Sequence, residues 1–241
     1  MRCLVIIWTV VLCFTVRAYA YFENYPPFKF SENAPEHIQA ELLVDYDKPD
    51  YRAKDSKITA HLNETSDSFD FILKDGDLIL ASLQERATPF PYAVYRADLD
   101  NNGLDDLIVF SSNRGNGLAA HLVVTDLYLK NIDGTYQNIN YEGLGTEIED
   151  FVDMNKDGKT EIIIMDMYGG EKHNYFSYSV YDIKNARLVN VDGKFKGFPK
   201  FIWFTDKKND KNTTHLTQNE KAAHIRKVET GFKYQKVDGK N

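Results

Sequence analysis

Beyond Cys13 this chain of 241 residues contains no cysteine, and its other cysteine is Cys3. That excludes a disulfide framework over the body of the chain and a cysteine nucleophile within it. The sequence also lacks a G-x-S-x-G elbow, an H-E-x-x-H zinc helix and a glycine loop of the phosphate-cradling kind. Its six histidines are scattered, and His215 and His224 are nine residues apart, which does not place them on one helix face as a zinc pair. Basic residues are outnumbered, 29 against 36 acids, for a net charge of −7. Such a balance argues against nucleic acid as a partner. Long apolar runs are missing too, with one partial exception at the start.

That exception spans Leu4–Val16, 13 residues behind the positive charge of Arg2 and ahead of Ala18-Tyr19-Ala20. A membrane-spanning helix needs about 20 apolar residues. A basic start, a short apolar stretch and a small-x-small site are the layout of a secretory signal peptide. Residues 1–20 are therefore expected to be removed, leaving an exported chain with no stable membrane insertion, secreted or periplasmic. Both cysteines, Arg2 and Arg17 leave with the leader, which carries no acid, so the mature net charge moves from −7 to −9. Without disulfides, stability must come from a packed core or from bound metal.

Four segments follow. Residues 21–68 read as a lead, extended and proline-punctuated over 21–34, with a short helix expected over Pro35–Tyr46 from its proline start and the Ile38–Leu42 spacing. Residues 69–205 read as β. Apolar runs flank Asp75-Gly76, Asp133-Gly134 and Asp192-Gly193, each a hairpin turn signal, at intervals of 58 and 59 residues. Residues 206–241 begin with a charged loop and end in a basic segment, His215–Tyr234, of modest amphipathic spacing, expected to be a solvated helix.

Within the β region two acidic stretches stand 55 residues apart, "DLDNNGLDD" from Asp98 and "DMNKDGKTE" from Asp153. The first has Asp98, Asp100 and Asn102 at alternate positions, then Gly103, and Asp106 at position nine. The second has Asp153, Asn155 and Asp157, then Gly158, and Glu161 at nine. Oxygen side chains at alternate positions of a tight loop can turn to one centre. Glycine permits the bend, the carbonyl of Leu104 or Lys159 can add an oxygen, and the carboxylate at nine closes the shell. Hard, numerous, flexible oxygen ligands suit Ca²⁺. An EF-hand would need a bidentate glutamate at twelve, where Val109 and Ile164 stand, and β-branched runs follow instead of a helix.

Two markers keeping nearly one period point to an internal repeat of about the size of a four-stranded propeller blade. The stretches "YRADLDNNGLDDLIVF" and "EDFVDMNKDGKTEIII" resemble the FG-GAP/VCBS-type calcium repeats of integrin α-chain propellers, whose loops follow D-x-D-x-D-G-x-x-D between two strands. The resemblance covers roughly residues 90–170, and the hairpin spacing extends it to 69–205. It implies a mainly β fold, a short array of propeller-blade-like antiparallel sheets between a short N-terminal and a C-terminal helix. A third loop, Asp206–Thr214, carries Lys208 and Lys211 where a ligand and the glycine would stand, and is expected to be metal-free.

The functional expectation is an exported calcium-binding module, the metal mainly structural, that engages a protein or glycan and is not an enzyme. Alternatives are a periplasmic enzyme inhibitor or immunity-type protein, or a hydrolase with a site between repeats. Arg114, Asn116, Tyr168, Glu171 and His173, in glycine-rich stretches after the two loops, could line a shared rim.

Overall fold

A computed structural model of the chain describes residues 36–45, 57–64, 69–84, 89–112, 121–169, 174–203 and 216–238. The leader, the stretch 21–34 and the third acidic loop lie outside the described residues. The described chain is mainly β, in three open antiparallel sheets. The first is β3 (Ile58–Glu64), β4 (Phe69–Asp75) and β5 (Leu78–Gln84). The second is built on the meander β6 (Phe90–Ala97), β7 (Asp106–Ser112), β8 (Leu122–Lys130) and β9 (Tyr136–Leu144). The third is built on β10 (Phe151–Asp153), β11 (Glu161–Gly169), β12 (Asn174–Lys184) and β13 (Arg187–Asn190), with β14 (Lys200–Trp203) further along the free edge of β12.

The sheets stack as three layers with two cores. Side chains alternate along a strand, and in β7 both faces are covered. Leu107 and Val109 pack with Phe71, Leu73, Tyr128 and Tyr136 against the first sheet. Ile108 and Phe110 pack with Phe151, Ile162, Ile164 and Tyr181 against the third. This is why "LIVF" is apolar without a break: the middle sheet has no solvent face there. Truncating Phe110, 2% exposed, to alanine is a cavity change of about 3–5 kcal/mol.

The expected helix over Pro35–Tyr46 does not form. Residues 36–45 make two short strands, β1 (Glu36–His37) and β2 (Glu41–Asp45). β1 pairs with β10 (Glu36↔Asp153) and β2 with β6 (Leu42↔Tyr95), so this segment ties the third sheet to the second. A helix of about twelve residues is marginal alone, whereas two open sheet edges supply hydrogen-bond partners for the same backbone. Ile38, Ala40 and Leu42 gain contact with the main core as well.

Two of the three expected turns close hairpins, at Gly76 (φ +59°) and Gly134 (φ +80°). The third is displaced. β12 and β13 turn at Asn185-Ala186, both with positive φ, while Asp192–Lys194 forms a single 3-10 turn. Asp192 is buried there, Oδ1 accepting from Val180 N at 2.7 Å and Oδ2 from Asn190 Nδ2 at 2.8 Å. It anchors the strand end and leaves no turn to make.

The C-terminal segment folds as α1 (Gln218–Thr230), opened by a capping box between Thr217 and Glu220. The chain then turns at Gly231 into β15 (Lys233–Val237), which adds to the free edge of β9 (Lys233↔Asn140). Residues 233–234, read as helix from sequence, are thus strand, for the same reason as the N-terminal segment.

Candidate metal centre

Each acidic loop joins the first strand of a meander to the second, in one register: Ala97 pairs with Asp106, and Val152 with Glu161. The loops share a backbone. Position four has positive φ in both (Asn101 +59°, Lys156 +62°), as has position six (Gly103 +79°, Gly158 +80°). The first aspartate grips two N–H groups ahead of it: Asp98 accepts from Asn102 N (3.0 Å) and Gly103 N (2.8 Å), Asp153 from Asp157 N (3.1 Å) and Gly158 N (2.8 Å). Position five accepts from position seven, Leu104 N to Asn102 Oδ1 at 2.7 Å and Lys159 N to Asp157 Oδ1 at 2.9 Å. The carboxylate at nine accepts from position two, Leu99 N to Asp106 and Met154 N to Glu161, both at 2.8 Å. These bonds turn carboxylates inward and fix them.

In the first loop the acids converge. Asp98, Asp100 and Asp106 each present an oxygen within 4.8 Å of the others. Asp106 is fully buried, and Oδ1 of Asp100 is buried without a hydrogen-bond partner. Burial, with Asp100 and Asp98 adding to it against the Lys130 and Leu99 N–H groups, pushes Asp106 up to about 7. Burial and the Asp98 charge also raise Asp100. Three carboxylates in so small a space hold their charges together only against a cation or a proton. An orphaned buried oxygen beside them is a ligand position in need of an electrophile, so the donor set fits a hard divalent ion.

The second loop is closed differently. Among the described residues its acids do not converge to the same degree. The Asn155 amide stands among them, donating to Asp157 Oδ2 and to Glu161 Oε1, both at 3.1 Å. Burial, with Asp157, Asp182 and Asp153 adding, pushes Glu161 up to about 7. Lys156 reaches out to Glu36 at 3.0 Å.

Tertiary contacts make one acidic end of the two loops. Thr160 N donates to Leu99 O at 3.1 Å, and a Cβ on Gly158 would stand 3.0 Å from Asn101 Nδ2. The first loop also holds the next hairpin. Lys130 N donates to Asp106 Oδ1 (2.7 Å), Asn102 Nδ2 donates to Lys130 O (3.0 Å), and the Lys130 ammonium pairs with Asp75 of the first sheet. Asp106 thus serves loop and neighbouring strand at once, a role nothing in the nine-residue pattern signals.

Compared with protein families, curated proteins and solved structures, the chain matches none. The reading of its site rests on its own geometry.

Of the expected rim, Arg114, Asn116, Glu171 and His173 lie outside the described residues. Tyr168 packs edge-on against His224 of α1, centroids 5.0 Å apart, and against Phe201. Beneath it is a pair missed in the sequence: Ser177 Oγ is 2.6 Å from His224 Nε2, both residues 3% exposed. Asp166 Oδ2 lies 4.0 Å from that same nitrogen. A nucleophile relay needs the carboxylate on the other ring nitrogen. The pair is a buried pin between α1 and β12.

Proposed function

We propose that the mature chain is an exported, calcium-stabilised β module that binds a partner through its surface and performs no chemistry of its own. The observation that carries the reading is the first loop, where Asp98, Asp100 and Asp106 converge around the buried, unpartnered Oδ1 of Asp100. Asp98, Asp100 and Asp106 would hold the ion, with Asn102 and the Leu104 carbonyl beside them. Bound calcium would neutralise the carboxylates and contribute folding free energy, because these ligands meet only in the folded chain. In a chain without disulfides this is a structural role. Asp153, Asn155, Asp157, Lys159 through its carbonyl, and Glu161 make the second, weaker candidate.

The blade-like reading is supported by two meanders with one strand order, one register and one loop conformation, packed face to face. Export is supported by the leader sequence, and no helix among the described residues is long and apolar enough to cross a membrane. Thermal unfolding in excess calcium, in EGTA and in magnesium tests the proposal. At a calcium concentration a hundred times the dissociation constant, one site adds about 2.7 kcal/mol. Equal melting temperatures in calcium and in EGTA would defeat the reading.

A further inference from the structure

Lys130 ends β8, and each of its polar groups is engaged by a residue far away in sequence. Its N–H donates to Asp106 Oδ1 at 2.7 Å, its carbonyl accepts from Asn102 Nδ2 at 3.0 Å, and its ammonium pairs with Asp75. Asp106 and Asn102 belong to the first acidic loop, Asp75 to the first sheet. The Asp75 end is closely built. Asp75 ends β4 on the same face as Phe71 and Leu73, which pack on the middle sheet. Its Oδ2 also accepts from the Tyr136 hydroxyl at 2.8 Å, and the Lys130 ammonium lies over the Tyr136 ring, 5.4 Å from the centroid. Burial would raise the Asp75 carboxyl, but the bonds from Lys130 and Tyr136 outweigh it and hold the acid below its ordinary value.

We infer that calcium at the first loop governs, through Lys130, how firmly the first sheet is docked on the middle one. The inference rests on the calcium reading of that loop. Asp98, Asp100 and Asp106 bring oxygens within 4.8 Å of one another, and their like charges repel. A cation that draws those oxygens to one centre also fixes Asp106, and with it the acceptor of the Lys130 N–H. Where the acids spread apart, the bonds from Asp106 and Asn102 to the Lys130 backbone loosen, and the ammonium loses its set position against Asp75. Such coupling is reciprocal: the Lys130–Asp75 pair that calcium strengthens must itself strengthen calcium binding.

Amide hydrogen exchange of the mature chain, in excess calcium and in EGTA, tests this, with buried strand β12 of the third sheet reporting global opening. In the wild type, EGTA should speed exchange in β4 and β5 about five-fold more than in β12. Lys130→Met keeps the backbone bonds to the loop and removes the ammonium. In this variant the five-fold excess should vanish, while the Leu99 and Leu104 amides of the loop still respond to calcium. Calorimetry should show the variant binding calcium about five-fold more weakly than the wild type. Asp75→Asn should give the same pair of results, and supplies the readout should Lys130→Met lose its near-ultraviolet circular dichroism in calcium.

Exchange in β4 and β5 that merely follows β12 in the wild type overturns the inference. So does a calcium affinity equal to that of the wild type in both variants. Where either result comes with a melting temperature raised by calcium, the coupling alone is lost and the calcium reading stands. A melting temperature indifferent to EGTA defeats both.

Discussion

Replacing Asp106 with asparagine keeps the shape of a fully buried side chain and removes its charge. Without metal that charge is unfavourable. An acid displaced from 3.8 to about 7 is ionised at pH 8 at a cost on the order of 4 kcal/mol. The amide in turn faces one of its two donors, Leu99 N or Lys130 N, with an N–H group, and losing a hydrogen bond to a charged acceptor costs about 1.5–3 kcal/mol. In EGTA at pH 8 the variant is therefore expected to be more stable than the wild type by about 1–2 kcal/mol. With calcium at a hundred times its dissociation constant the wild type gains about 2.7 kcal/mol. The variant has lost a carboxylate ligand and gains less, so the order of stability reverses. Melts of both chains in both buffers read this directly, at roughly 2–4 °C per kcal/mol for a chain of this size.

The pH dependence has a definite sign. The folded-state value of Asp106 lies above the unfolded one, so its contribution is present below about pH 4 and is lost as the pH rises to about 7. The metal-free wild type should lose stability over that window, and Asp106→Asn should remove part of the slope. Glu161, also pushed up to about 7, retains its own part. A variant destabilised by equal amounts in calcium and in EGTA would refute the reasoning, and would make Asp106 only an acceptor for two N–H groups.

Calorimetry should show tighter calcium binding at the first loop: Asp98→Ala abolishes the stronger site and Asp153→Ala the weaker, since Asn155 already occupies the second cluster with its amide. Loss of the stronger site in Asp153→Ala would reverse the ranking. Gly158→Ala meets a φ of +80°, which costs about 1–2 kcal/mol, and its methyl presses on Asn101 of the other loop. A chemical-denaturation midpoint unchanged from wild type would contradict that geometry. Ser177→Ala leaves the ring nitrogen of His224 buried without its partner, at about 1–3 kcal/mol, and should speed amide exchange along α1. Burial lowers the His224 pKa despite Asp166, so stability from this residue is lost as pH falls below its unfolded value near 6.5; His224→Gln should remove that loss, and an unaltered acid limb would count against it.

What the sequence determined alone is the interior of each acidic loop. The bonds internal to it, such as Gly103 N donating to Asp98 or Met154 N to Glu161, span seven residues or fewer, so residue type and spacing suffice for them. The hairpins at Gly76 and Gly134 were legible on the same ground. Wherever a partner lay far along the chain, tertiary structure decided. Residues 36–45 carried a weak helical signal, and the open edges of β10 and β6 outweighed it. Asn185-Ala186 carried a poorer turn signal than Asp192-Gly193, yet the register of β12 against β13 and the buried carboxylate of Asp192 put the turn there. No local pattern could have told that Thr160 meets Leu99 or that Lys130 closes on Asp106. Lys130 reaches Asp106 because β7 pairs with β8, while the meeting of the two loops needs the middle and third sheets packed across their shared core; pairing and stacking together bring residues tens of positions apart within reach.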